Sequence, residues 1–203
     1  MTVKLVRLSA DSAQLPLAIE PATDPGYNCF GPWPDDPPPV PLPPGMRPVS
    51  VGVGAAHICV SDADASVSCW GGNLFRELGT TIDAGPGIDA LNAVRPTNVG
   101  AARKVLVIAS TSCALMGSGG MKCWGDNGSG QVGAGSVNGK LLPIDVLLDA
   151  SVQTAALGAG HACAISADRV YCWGANSFCQ VTTDPDGGVG PLSHLYPVPV
   201  RGL

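Results

Sequence analysis

Charge is scarce in this chain, and what there is leans acidic. Only 13% of the 203 residues are charged, about half the share of an ordinary globular protein, and the net charge is -5. No Lys/Arg cluster is present to meet a phosphate backbone, so neither nucleic acid nor an anionic membrane surface is an expected partner. No apolar run reaches the roughly 18 residues that a helical membrane span requires. The opening Met1-Thr2-Val3-Lys4-Leu5-Val6-Arg7 is too broken by polar and charged residues to be the hydrophobic region of a signal peptide. Catalytic signatures are missing as well: there is no Gly-x-Ser-x-Gly, no P-loop and no His-Glu-x-x-His. The three histidines are His57, His161 and His194. The first two recur at one place in a repeat, the mark of a packing or turn residue, and His194 has no triad partner. The expectation is a protein that is not an enzyme and needs no cofactor or metal.

Glycine and proline, by contrast, are plentiful, at 27 and 19 residues. Both oppose long helices, Gly by about 1 kcal/mol and Pro by about 3 relative to Ala. Short strands joined by turns are the expected alternative.

Three stretches of the chain align with one another. The first runs from Gly54-Ala-Ala-His57-Ile-Cys59 to Cys69-Trp70-Gly71-Gly-Asn73. The second runs from Ser110-Thr111-Ser-Cys113 to Cys123-Trp124-Gly125-Asp-Asn127. The third runs from Gly160-His161-Ala-Cys163 to Cys172-Trp173-Gly174-Ala-Asn176. Successive Cys-Trp-Gly units lie 54 and 49 residues apart, the period of a propeller blade. Related tails follow: Glu77-Leu78-Gly79, Gln131-Val132-Gly133 and Gln180-Val181. Val49, Val51 and Val53 alternate as a strand does. In the third copy a two-residue turn at Ala167-Asp168 sets Ile165 opposite Val170 and Cys163 opposite Cys172. The other two copies have one more residue between their cysteines, which predicts a bulged turn there. Pro143–Val146 and Pro197–Val200 read as lead-ins to following units.

Residues 31–47 are of another kind. Nine prolines fall between Pro32 and Pro48, which predicts a stiff polyproline II connector. Before it, residues 1–30 read either as a leader or as a degenerate blade marked by Cys29-Phe30-Gly31. The expected units are then 48–96, 97–145 and 146–203.

The pattern Gly-x-x-His-x-Cys, then Cys-Trp-Gly-x-Asn-x-x-x-Gln, resembles the repeat of the regulator of chromosome condensation family, in its bacterial cysteine-containing variety. The resemblance covers residues 48–203. It implies an all-β fold: a partial β-propeller of three to four blades of antiparallel strands, part of a larger propeller. It implies a protein partner, and further repeats or a second chain to complete the ring. The departures are Thr111 in place of His, Arg76 and Cys179 in place of Gly, and Glu77 in place of Gln.

Six cysteines form three pairs within repeats: Cys59/Cys69, Cys113/Cys123 and Cys163/Cys172. Facing strands suit disulfides, each stabilising the fold by roughly 2–3 kcal/mol. Reduced core cysteine and zinc ligation with His57 and His161 are the alternatives; Thr111 and the wide Cys spacing oppose zinc. Cys29 and Cys179 have no partner in the repeat and pair with each other or with a segment elsewhere. Disulfides point to an extracellular or cell-surface setting, although no signal peptide opens the chain. A fragment of a longer exported protein reconciles the two.

Trp70, Trp124 and Trp173 read as packing between blades rather than as a stacking surface. Function is then expected where the copies differ, in the loops Thr80–Pro96, Ala134–Pro143 and Thr182–Pro197 gathered on one rim. Candidate partner contacts are Phe75, Asp83, Asp89, Phe178, Asp184, Asp186, His194 and Tyr196. The leading reading is a non-catalytic module for protein–protein interaction. The rivals are a nucleotide-exchange regulator of a small GTPase, a hydrolase or metal enzyme, and a structural surface repeat.

Overall fold

The computed structural model describes residues 44–81, 93–182 and 192–200. Cys29, Asp83, Asp89, Asp184, Asp186 and the Pro-rich stretch before Pro44 lie outside the described residues. Eleven strands, and no helix, are present among those residues. They form three antiparallel sheets, and the chain is a partial β-propeller. Blade one holds β1 (Pro48–Val53), β2 (His57–Asp62) and β3 (Val67–Gly71). Blade two holds β4 (Ala102–Ile108), β5 (Thr111–Met116), β6 (Met121–Asp126) and β7 (Lys140–Asp145). Blade three holds β8 (Val152–Leu157), β9 (His161–Ser166), β10 (Arg169–Ala175) and β11 (Ser193–Pro199). In blade one a single bridge, Cys69 to Val94, marks the place of the fourth strand. Strand β1 packs on β4 and β4 on β8, so these are the inner strands, and β7 and β11 are the outermost.

Turn chemistry fixes the register of each central hairpin. In blade three Ala167 and Asp168 have φ of 48° and 58°, a two-residue turn with both central residues left-handed. It sets Ile165 against Val170 and Cys163 against Cys172. In blades one and two the turns are one residue longer. They close through Asp62 N–H to Ser66 O and Met116 N–H to Gly120 O, with Ala65 and Gly119 at positive φ. The extra residue is absorbed without disturbing the pairs Cys59 with Cys69 and Cys113 with Cys123.

Two expectations change. The segments read as lead-ins to the next repeat close the present one instead: Ile144 pairs with Cys123 in β7, and Val198 pairs with Cys172 in β11. The reason is positional. Pro143 and Pro197 sit at register shifts on outer strands, where a missing N–H donor costs no ladder bond. The variable loops are accordingly shorter than expected. His194 and Tyr196, expected in a loop, stand on β11, with His194 opposite Gly174. The glycine of Cys-Trp-Gly ends the central ladder of each blade. Gly71, Gly125 and Gly174 are the last ladder partners of His57, Thr111 and His161, at φ of 103°, 97° and 95°.

The core lies between blades. Cys59, Val67, Cys69 and Leu78 of blade one meet Val105, Ala114 and Trp124 of blade two. Cys113, Leu115, Met121, Cys123 and Val132 of blade two meet Val152, Ala162, Ala164 and Trp173 of blade three. Each sheet thus has a far face bearing its cysteine pair and a near face bearing its tryptophan.

Candidate functional site

The three cysteine pairs are disulfides, Cys59–Cys69, Cys113–Cys123 and Cys163–Cys172, with Cα atoms 4.1 Å apart in each. Directly opposed strand residues come this close, so the hairpin registers above account for the bonds. Cys179 is free and exposed. Among the described residues no group of three or more His, Cys, Asp or Glu side chains could hold a metal ion.

The tryptophans lock successive blades. Trp124 Nε1 donates to the Glu77 carbonyl at 2.7 Å, and Trp173 Nε1 donates to the Gln131 carbonyl at 2.8 Å. Both acceptors lie in the tail of the preceding blade. The tail glycine makes room: a Cβ on Gly133 would stand 2.6 Å from Trp173 Nε1. In blade three Thr182 occupies the corresponding place. Trp70 Nε1, at the start of the series, is buried with no hydrogen-bond partner.

Each tail is closed by its own side chains. Asn73, Asn127 and Asn176 accept from the N–H groups of Leu78, Val132 and Val181 through Oδ1. The Glu77, Gln131 and Gln180 side chains accept from the N–H groups of Phe75, Ser129 and Phe178. Only an acceptor is needed there, so Glu77 replaces Gln without loss of that bond. Arg76, Gly130 and Cys179 share φ of 63°, 77° and 57°, a left-handed step that favours Gly but tolerates others at a cost.

The first blade interface also carries titratable groups. His57 Nε2 lies 2.6 Å from Ser112 Oγ, and the Ser112 hydroxyl donates to the Glu77 carbonyl. The Ser112 hydroxyl thus stands between the His57 ring and the Glu77 carbonyl. Burial lowers the His57 pKa to about 4, and burial raises that of the Glu77 carboxyl. His161 is its counterpart in blade three and is only half-buried.

The remaining candidates fall on the surface. Phe178 is 90% exposed, beside Cys179. Phe75, two blades earlier at the equivalent tail position, is half-buried beneath Lys140 Nζ, 5.4 Å from the ring centroid. Tyr196 and Leu74 are exposed. His194 is half-buried, and its Nε2 has no partner. The tails of Leu74, Phe75 and Phe178 follow equivalent strands, β3 and β10, and so share one rim. Sequence reasoning missed the main-chain acceptors at Glu77 and Gln131, because a carbonyl leaves no residue-type signal.

Comparison with known proteins agrees with this architecture. Residues 118–165 match the family model of the regulator of chromosome condensation (RCC1) repeat. The match starts in the turn after β5 and ends in β9, so the sequence repeat straddles two blades. The ultraviolet-B receptor UVR8 of Arabidopsis thaliana is 29% identical over 163 residues, 77% of this chain and 35% of that protein. Yeast RCC1 (Prp20), solved bound to Kap60, superposes with a TM-score of 0.70 at 21% identity, over 81% of this chain and 40% of that one. Human WBSCR16 gives 0.71 at 22% identity, over 82% and 43%. The chain therefore spans less than half of the length of these relatives, 35–43%. It carries a match to the RCC1 repeat and has the fold of three successive blades of an RCC1-like propeller.

Proposed function

We propose that this chain is a non-catalytic propeller module that holds a protein partner on the rim formed by its tails. One contrast carries the reading. The residues common to the repeats are consumed by the scaffold, in disulfides, blade locks and turn closures. Among the large apolar side chains left in solvent, Leu74 and Phe178 in the tails and Tyr196 on β11 sit where the copies differ, and Phe178 is the most exposed of all. Bare aromatics on a rigid rim suit a partner's pocket, since they contribute much contact area at little entropic cost. Prp20, as its solved complex with Kap60 records, binds protein, and this is a precedent for a protein ligand on this fold. The three disulfides support an oxidising, extracellular or cell-surface setting.

The test is a photo-reactive residue at Phe178, compared with one at Lys104 on β4. Cross-linking to a single protein from the Phe178 position is expected, and F178A should weaken that complex about ten-fold, as a buried anchor does, without changing thermal stability. Equal labelling from both positions would remove the rim from consideration. A GTPase-exchange role predicts faster nucleotide release on adding the chain, and an unchanged rate is expected.

A further inference from the structure

We propose that the third disulfide, Cys163–Cys172, is a thiol-exchange site that small thiols open while the chain stays folded, and that the other two are sealed staples. The three bonds join directly opposed residues of equivalent hairpins, so cover rather than register separates them. Cys59, Cys69, Cys113 and Cys123 are fully buried. The near face of the next blade lies on each pair: Val105, Ala114 and Trp124 on the first, Ala162, Ala164 and Trp173 on the second. Cys163 is only half-buried, as are Ile165 and Val170 on the same face. Along β2 and β5 every residue is buried, whereas along β9 buried and half-buried residues alternate. One side of β9 is thus open to water, and it is the side that carries the sulfur.

The tail of blade three departs from the other two at the residue that matters for such cover. In blades one and two the tryptophan of the next blade comes down beside a tail glycine. A Cβ on Gly79 would stand 3.2 Å from Trp124 Nε1, and one on Gly133 would stand 2.6 Å from Trp173 Nε1. Thr182 takes the corresponding place and brings a Cβ with it. The third tail therefore lacks the notch that seats a locking tryptophan, and the face beside it is not built to be sealed in the way of the first two.

Exchange needs a thiolate to reach one sulfur in line with the bond that breaks. For Cys163 that line runs over β8, where the opposing residue is Ala156, small and exposed. At the second pair Leu106 stands in that position. At the first it is Gly52, with Val107 of blade two pressed against it: a Cβ there would lie 2.6 Å from the Val107 side chain. A thiolate attacking Cys163 Sγ forms a mixed disulfide, and Cys172 leaves as a thiolate that takes up a proton. A second thiolate attacks the external sulfur of the mixed disulfide. Cys163 is released as a thiol and the two external thiols depart joined, having supplied the two electrons. The freed hairpin has strain to release. Ala167 and Asp168 both sit in the left-handed region, which L-residues enter at a cost, whereas the turn of blade two places Gly119 there.

Graded reduction of the folded full chain by glutathione tests the site, with iodoacetamide as quench and mass mapping of each cysteine. Cys163 and Cys172 should become labelled about ten-fold faster than Cys59, Cys69, Cys113 and Cys123, at a rate proportional to the glutathione concentration. The sealed pairs should open only with unfolding, at a rate that does not depend on the thiol. Cys179, free and exposed, should be alkylated before any glutathione is added, which checks the quench. A single rate for all three pairs overturns the proposal, and so does a third pair whose opening ignores the thiol concentration. Ala156→Leu puts the bulk of Leu106 into the line of attack. It should slow the third pair several-fold and leave the first two at their native rates, and an unchanged third rate overturns the approach over β8.

Discussion

At the first blade interface Trp124 reaches the Glu77 carbonyl over 2.7 Å, and at the second Trp173 reaches the Gln131 carbonyl over 2.8 Å. The bond is the same; the residue beneath it is not. Opposite Trp124 in the ladder stands Ser112, and opposite Trp173 stands Ala162. Ser112 brings His57 and the Glu77 carbonyl into one polar line. At the second interface the same space is filled by Ala162 and Ala164, packed with Val132 and Val152. One geometric lock thus tolerates either a polar or an apolar filling, because its acceptor is main chain and does not depend on the neighbouring side chain.

The largest effects should come from removing the tryptophans. Both are fully buried, and aromatic-to-alanine changes in cores cost about 3–5 kcal/mol. Trp173→Ala is expected to cost more than Trp124→Ala. Its cavity has the Gln131 carbonyl beside a mostly apolar lining, whereas the first interface adds Ser112 and His57 to the Glu77 carbonyl and so offers a water more partners. Urea unfolding of the two variants decides it, and equal losses would mean that the polar filling gives no relief.

Much of this was legible in the residues, and the remainder was hidden for physical reasons. Cys-Trp-Gly announced paired strands, and its glycine is required: at Gly71, Gly125 and Gly174 an added Cβ would collide with the carbonyl oxygens of Ala56, Ser110 and Gly160. The His substitution in copy two also has a structural explanation. His57 and His161 lie over Gly54 and Gly158, where a Cβ would strike the ring. In copy two the smaller Thr111 pairs with Ile108, which fills the position of that glycine. The outer strands were obscured because Pro143 and Pro197 look like strand openers, although they sit opposite the tryptophans at a register shift. The rim residues Phe178 and Leu74 stood out as apolar in polar tails. His194 did not reveal its place, since β11 carries no alternation that separates it from a loop.

Acidification separates the interfaces next. His57 is held near a pKa of about 4 by burial, against 6.5 ordinarily. Between those values the unfolded chain binds a proton that the folded chain refuses. Stability is therefore fully present above pH 6.5 and is lost as the pH falls toward 4, by about 3 kcal/mol from this group. Glu77 works the other way. Its raised pKa gives a contribution that is present below its ordinary value and lost as the pH rises through the folded value. E77Q should therefore gain stability at neutral pH, and His57→Ala should flatten the acid limb. An acid limb that His57→Ala leaves unchanged would show that this histidine is not the pH-sensitive group of the first interface.

The smallest expected difference is the sharpest test of the comparison. Trp→Phe removes only the indole N–H and keeps most of the packing. At the second interface it leaves the Gln131 carbonyl without that donor, which costs roughly 1–2 kcal/mol. At the first, the Glu77 carbonyl keeps the Ser112 hydroxyl, so Trp124→Phe should cost about half as much. Removing that second donor should erase the gap: in an S112A background, Trp124→Phe should cost as much as Trp173→Phe does in the native chain. The coupling between Ser112 and Trp124, read from the double-mutant cycle, then measures how far the serine shares the lock. A coupling of zero would mean that the Glu77 carbonyl depends on Trp124 alone, and that the polar line from His57 runs beside the lock without strengthening it.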